Sequence, residues 1–202
     1  MQLTHQLSAA LILAIGTSSV FAAEDVNSKH QISGNIAVVS SYYMRGLTNA
    51  PENDKATIQG GLDYSHASGF YAGYWGSTIG YSLTDYDAER GEYTGSDTFE
   101  HDFYLGYNGS INDDWGYNLG AIYYYYYESD ADADVLESVV GVNYKDLSLT
   151  AQTLWDDVNW GNTGDTYLLA AYSHPLPRDF TLNTSLGLYY YNDDASPYFE
   201  TT

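Results

Sequence analysis

The sequence contains no cysteine, and only 6 of its 202 residues are lysine or arginine. Without cysteine the chain has no disulfide framework, no thiolate metal site and no cysteine nucleophile. The 27 aspartate and glutamate residues give a formal net charge of −21, which excludes nucleic acid as a natural partner because phosphates repel it. The 23 tyrosines, 6 phenylalanines and 4 tryptophans exclude a disordered chain, which would be poor in aromatic side chains.

Long apolar runs are also absent, with one exception at the N-terminus. Residues 7–20 are apolar or small, and Ala22 and Ala23 suit cleavage by signal peptidase, so we expect residues 1–22 to be a signal peptide and the chain to be exported. This run of about 14 residues is too short for a transmembrane helix, which needs ~20. Any further contact with a membrane must therefore be made by strands.

The stretch from residue 115 to residue 127, WGYNLGAIYYYYY, predicts a β-strand of unusual length. Taken in twos, one face is apolar or aromatic throughout, and the other carries small, polar or tyrosine side chains together with one isoleucine. At ~3.3 Å per residue such a strand is ~40 Å long, enough to cross a bilayer at a tilt.

Eight further segments alternate in the same way. The predicted strands are residues 31–45, 56–65, 70–77, 99–108, 115–127, 135–144, 147–156, 166–173 and 180–191. Their connections are alternately short and long, so one rim would carry tight turns and the other long loops. A secreted β-sandwich has no reason to sort its loops by length, whereas outer-membrane barrels have turns in the periplasm and loops outside. We therefore predict an all-β fold, an antiparallel up-and-down transmembrane β-barrel.

Two stretches, SGNIAVVSSYYMRGLT at residues 33–48 and ATIQGGLDYSHASGFYAGYWGS at residues 56–77, carry a family resemblance. The chain resembles the TorF-type porin family, also called Gcw_chp proteins. HDFYLGY at residues 101–107 and DTYLLAAYSHPL at residues 165–176 fit the same pattern. The resemblance implies a barrel over residues 23–202 in the outer membrane of a Gram-negative bacterium, in contact with lipid and lipopolysaccharide. It assigns no catalytic, cofactor or metal residues.

The resemblance also implies about twelve strands in the intact protein, and bacterial single-chain barrels have even strand numbers. The sequence contains nine strands and the start of a tenth, so we expect a chain truncated at its C-terminus. A structure of these residues should then show an open or imperfectly closed wall.

Motifs for chemistry are weak. Asp130, Asp132 and Asp134 resemble the opening of a calcium loop, but the later glycine and glutamate of an EF-hand are missing. Residues 100–102, Glu-His-Asp, offer three metal-ligating side chains, yet strand geometry points His101 away from both neighbours. No GxSxG motif accompanies the histidines. The tyrosines of the long strand could stack on sugars, although aromatic girdles at the bilayer interfaces explain them without a ligand. We predict no enzyme activity, no cofactor and no metal site.

Two functions remain: a porin-like channel for passive passage of small solutes, or a barrel without a through-path that acts as an adhesin, structural protein or membrane enzyme. A soluble secreted sandwich is a more distant alternative. Polar lumen positions, among them Thr57, Gln59 and Asp63, favour the channel. Eight-stranded barrels, however, are filled by side chains, and at about twelve strands a pore could be either open or plugged.

Acidic residues concentrate in the predicted long loops. A ring of carboxylates at the outer mouth would concentrate cations and repel anions; alternatively, these acids only solvate the loops or bind divalent ions beside lipopolysaccharide. Asp63 would add a charge inside the lumen. The candidate cation-attracting residues are Asp63, Asp85, Asp87, Asp130, Asp132, Asp134, Asp156 and Asp157.

Overall fold

A computed structural model of the chain describes residues 19–22, 29–47 and 55–192. These residues form β1 (Ser19–Ala22), β2 (His30–Val39), β3 (Thr57–His66), β4 (Phe70–Thr78), β5 (Tyr86–Asp87), β6 (Glu92–Tyr93), β7 (Phe99–Ser110), β8 (Trp115–Tyr126), β9 (Val135–Tyr144), β10 (Leu147–Leu154), β11 (Thr166–Pro175) and β12 (Thr181–Tyr190). Ten of the strands pair antiparallel into one sheet, in chain order, and β5 and β6 form a separate small hairpin. No helix in the described part of the chain has the length and apolar character needed to span a membrane.

All nine predicted strands are present, and eight of them agree with the prediction to within two residues at either end. The prediction for residues 31–45 was wrong at its C-terminal end, because β2 stops at Val39. Tyr42, which the alternation placed with the outer apolar side chains, is instead buried inside the molecule. The sequence prediction also missed the β5–β6 hairpin in a long loop and β1, which pairs with β2. β1 falls within the predicted signal peptide, and the rest of that peptide lies outside the described residues.

The sheet is an open wall among the described residues. β1 pairs only with β2, and β12 pairs only with β11, so the two edges do not close onto each other. Almost every side chain of β12 is exposed, including those on the inner face. The open wall expected from the strand count is therefore present.

The distribution of side chains across the sheet is the reverse of that in a water-soluble protein. Apolar side chains such as Leu105 and Leu119 are exposed on the outer face, whereas Glu100, Asp102 and Gln59 are buried on the inner face. Along β8 the exposed positions all fall on the predicted apolar face, which is the outer one. The period of two thus sends apolar groups outward, while the inner face carries polar groups together with a buried apolar cluster.

The two rims differ, as the connection lengths predict. Tight turns join β3 to β4, β7 to β8, β9 to β10 and β11 to β12, and long loops occupy the opposite rim. The long loops contact one another through backbone hydrogen bonds, Asp130 N to Leu83 O at 2.8 Å and Asn159 N to Asp132 O at 2.7 Å. The buried apolar cluster lies at this loop rim and includes Ile79.

Candidate functional site

The segment after β2, residues 40–47, folds inward across the inner face of the sheet, and we call it the strap. Its end is a tight turn in which Met44 and Leu47 exchange backbone hydrogen bonds of 2.8 and 2.9 Å. The two central residues, Arg45 and Gly46, have φ angles of 53° and 86°, the conformation of a type I′ turn. Glycine adopts such angles freely, but arginine rarely does. The turn therefore holds Arg45 in a costly backbone conformation, a feature that often marks functional positions.

Tyr42 attaches the first half of the strap to β7. Its hydroxyl donates a 2.5 Å hydrogen bond to Glu100 Oε1, and Tyr126 donates to Glu100 Oε2 at 2.8 Å. The Tyr42 ring lies 6.2 Å from that of Trp75. Burial, followed by the charges of Glu100 and Asp102, raises the pKa of Tyr42 well above its usual value, so Tyr42 stays a neutral donor. Glu100 therefore has a partner for each of its oxygens.

Arg45 attaches the second half of the strap to β9 and β11. Its Nη2 lies 2.5 Å from Glu137 Oε2, and Tyr124 donates to the same oxygen at 2.9 Å. The guanidinium carbon lies 4.8 Å from the centre of the Tyr167 ring, close enough for a cation–π interaction. Burial alone would lower the pKa of Arg45, but its interactions with Tyr124 and with the Glu137 carboxylate outweigh burial and raise the pKa. The strap thus connects β7 with β11 across the inner face.

Asp102 lies beneath the strap. It is only 1% exposed, and neither of its carboxylate oxygens has a hydrogen-bond partner among the described residues. The same holds for Glu137 Oε1 and Thr57 Oγ1. Buried polar atoms are nearly always hydrogen-bonded, so four such oxygens at one end of the inner face are unusual.

Comparison with known proteins places the chain in a family. Residues 23–199 match the family model Gcw_chp, described as a bacterial protein of unknown function. The chain belongs to the Gcw_chp family. No curated protein and no solved structure matches it. The match confirms the Gcw_chp part of the sequence resemblance, and its description assigns no activity to the family.

The structure of this Gcw_chp protein places the predicted acids in two settings. Asp63 lies half-buried on the inner face, where it accepts a hydrogen bond from Tyr104. The residue between them in the register is Gly73; a side chain there would collide with the Tyr104 ring. This glycine lets Tyr104 reach across β4 to Asp63.

The other candidate acids lie in the long loops, and several of them fix loop structure. Asp134 accepts the Tyr126 backbone N–H at 2.8 Å, Asp130 accepts that of Tyr86 at 3.1 Å, and Asp157 accepts that of Thr163 at 2.8 Å. Asp87 accepts backbone N–H groups of its own turn through its side chain. The backbone carbonyls of Asp85 and Asp132 accept hydrogen bonds from other loop residues, and Asp156 is exposed. They share the loop rim but do not converge on one point.

Sequence reasoning missed the strap and Glu137, and it considered Glu100 and Asp102 only as metal ligands beside His101. Glu100, Asp102 and Glu137 are acids on the inward-facing positions of membrane-length strands, and this was the signal that could have identified them. His101 points away from Glu100 and Asp102 and contacts Tyr74 on the outer face at 2.9 Å, as strand geometry predicted. No group of three or more His, Asp or Glu side chains in the described residues is arranged to hold a metal ion directly.

Proposed function

We propose that this protein is an outer-membrane β-barrel that acts as a porin-like channel for the passive passage of small solutes, with a preference for cations. The observation that carries this proposal is the reversed distribution of side chains across the sheet. Leu62 is 62% exposed and Leu105 is 57% exposed on the outer face, while Glu100 is 1% exposed inside. In water, a continuous apolar face of this kind would drive aggregation. Lipid is the solvent in which both faces are stable.

Aromatic side chains at both ends of the outer face support the same reading. The rings of Trp115 and Tyr144 pack in a tilted arrangement at 4.8 Å near the turn rim. Exposed aromatic residues near the loop rim include Phe99, Tyr127, Trp155 and Tyr190. Between these groups the outer face is mainly leucine, isoleucine and valine. Two aromatic girdles around an apolar band are typical of strands that cross an outer membrane. Export by the predicted signal peptide, residues 1–22, is part of this proposal.

The charges on the inner face support cation preference. Four acids on described strands face inward, Asp63, Glu100, Asp102 and Glu137. The strap adds one basic residue, Arg45. Charges inside a narrow passage are screened less than charges in exposed loops, so these inner acids should affect selectivity more than the loop aspartates do.

The filled loop rim favours a second candidate, a barrel that does not conduct. Tyr42, Tyr124 and Tyr126 are buried where the strap crosses the inner face, and Trp75 packs beside them. Near the turn rim the inner face carries polar, partly exposed side chains, among them Asn108 and Asn118, which share a 2.8 Å hydrogen bond. The strap and these side chains therefore fill part of the inner face near the loop rim.

Planar-bilayer recording of the purified protein tests the proposal. We expect single-channel events with a reversal potential that shows cation preference in a salt gradient, weakening as the salt concentration rises. A triple variant in which Asp130, Asp132 and Asp134 are all replaced by asparagine should show a smaller loss of cation preference than the single variant Asp63→Asn. Anion preference would contradict the cation hypothesis. Silence at every voltage, in the wild type and in an Arg45→Ala variant with a weakened strap, would favour the non-conducting barrel.

Membrane residence is tested separately. The protein should partition with membranes and require detergent for extraction. Full extraction into detergent-free buffer would contradict the barrel proposal, whatever the conductance.

A further inference from the structure

The buried charges beneath the strap do not balance. Glu100, Asp102 and Glu137 are each 1% exposed or less, and Arg45 is the basic side chain that reaches them. With all three acids ionised, the cluster carries two negative charges in excess. Buried charges are costly unless they are paired or coordinate a cation.

The hydrogen-bond partners are also unevenly distributed among these three carboxylates. Glu100 accepts hydrogen bonds on both oxygens, from Tyr42 and Tyr126, and Glu137 Oε2 is held by Arg45 and Tyr124. The oxygens without a partner among the described residues are those of Asp102, Glu137 Oε1 and Thr57 Oγ1. Asp102 interacts electrostatically with both Glu100 and Glu137, and both interactions are repulsive.

A proton on Asp102 would not resolve this arrangement. It would remove one charge, but at least one oxygen of the carboxyl group would still lack a hydrogen-bond donor among the described residues. A hydrated cation supplies positive charge and hydrogen-bond donors together. Mg²⁺ in particular keeps several waters and is held by one or two carboxylates rather than by a full set of protein ligands. Such binding agrees with the finding that no three side chains in the described part converge on a metal position.

We propose that Asp102 and the free oxygen of Glu137 form a buried site for a hydrated divalent cation beneath the strap. Asp102 contacts the ion directly, and Glu137 Oε1 contacts it through water. The site lies on the inner face, distinct from the loop aspartates, and does not depend on whether the barrel conducts.

Mg²⁺ titration of the chelator-treated full-length protein in detergent tests the site by calorimetry. Wild type should bind one ion per chain more tightly than the weak background of the loops, and Asp102→Asn should lose that ion. Two matched controls should keep it: Asp63→Asn, which changes an inner-face aspartate that already has a partner, and the loop triple variant at Asp130, Asp132 and Asp134. Equal binding in wild type and Asp102→Asn, or loss of the tight ion in the loop variant, would overturn the proposal.

The midpoint temperature of thermal unfolding, Tm, gives a second and independent readout of Mg²⁺ binding. A ligand that binds only the folded state raises Tm, so Mg²⁺ should raise the Tm of wild type and of Asp63→Asn but not that of Asp102→Asn. In chelator, Asp102→Asn should be at least as stable as wild type, because it removes an unpartnered buried charge. An equal Mg²⁺ response in wild type and Asp102→Asn, including no response in either, would overturn the proposal.

Discussion

Replacing Arg45 with alanine removes the cation of a buried ion pair and leaves its partner in place. The Arg45 side chain is 8% exposed and that of Glu137 is 0% exposed, so the change leaves a buried carboxylate without its cation. Glu137 would keep only the Tyr124 hydroxyl, at 2.9 Å. Alanine carries the same backbone penalty as arginine at φ 53°, so the turn itself contributes little to the difference.

The expected loss is about 3–5 kcal/mol in the free energy of unfolding, the usual cost of breaking a buried pair from one side. Urea unfolding of the protein in detergent, followed by tryptophan fluorescence, measures it. The matched control is Lys55→Ala, which breaks an ion pair of 2.8 Å between side chains that are 55% and 46% exposed. An exposed pair contributes about 0–1 kcal/mol.

A double-mutant cycle measures the interaction between Arg45 and Glu137 separately from the other contacts of the strap. Glu137→Gln removes the carboxylate charge, so adding it to Arg45→Ala should cost less than the two single changes together. We expect a coupling energy of about 1.5–3 kcal/mol. If the stability losses of the two single variants simply add, the Arg45–Glu137 pair does not hold the strap. The same conclusion would follow if Arg45→Ala lowered the free energy of unfolding no more than Lys55→Ala does.

Three further changes probe the wall and one loop. Gly73→Ala should displace the Tyr104 ring that lies over it and lower the urea midpoint by the cost of overpacking, about 1–3 kcal/mol in unfolding free energy; an unchanged midpoint would contradict the packing. Leu105→Arg, in the middle of the outer face, should cost about 2–4 kcal/mol in lipid bilayers, measured by reversible unfolding in vesicles, and a neutral effect would count against lipid contact. The Thr163 backbone N–H lowers the pKa of Asp157, so this loop contact should be fully present above about pH 4, the unfolded value, and weaken as the pH falls through the lower folded pKa. Hydrogen exchange at the Thr163 amide measures it, and Asp157→Asn should abolish the pH dependence.

The strands could be predicted because a strand in a two-sided wall has a period of two, and that pattern depends only on local sequence. Residues 135–144 were placed without error, and the two faces of residues 115–127 were assigned correctly. The alternation of short and long connections likewise gave the two rims, because consecutive strands in a meander turn at opposite ends. The chain's membership of the Gcw_chp family was also recognisable from short motifs.

The strap could not be predicted, because nothing local specifies an inward turn after Val39. The alternation is lost over residues 40–43, Ser-Ser-Tyr-Tyr, and an extended reading still places Tyr42 on the outer face. The chain turns inward because Glu100 and Glu137, 58 and 92 residues from their strap partners, offer buried carboxylates to Tyr42 and Arg45. The alternation in the sequence determined which face of the sheet each strand residue occupies, because successive side chains of a strand point to opposite faces whatever their neighbours are. Which buried acids have partners, and which remain free, depends on how distant strands curve towards one another, and contacts between residues so far apart in sequence leave no periodic signal.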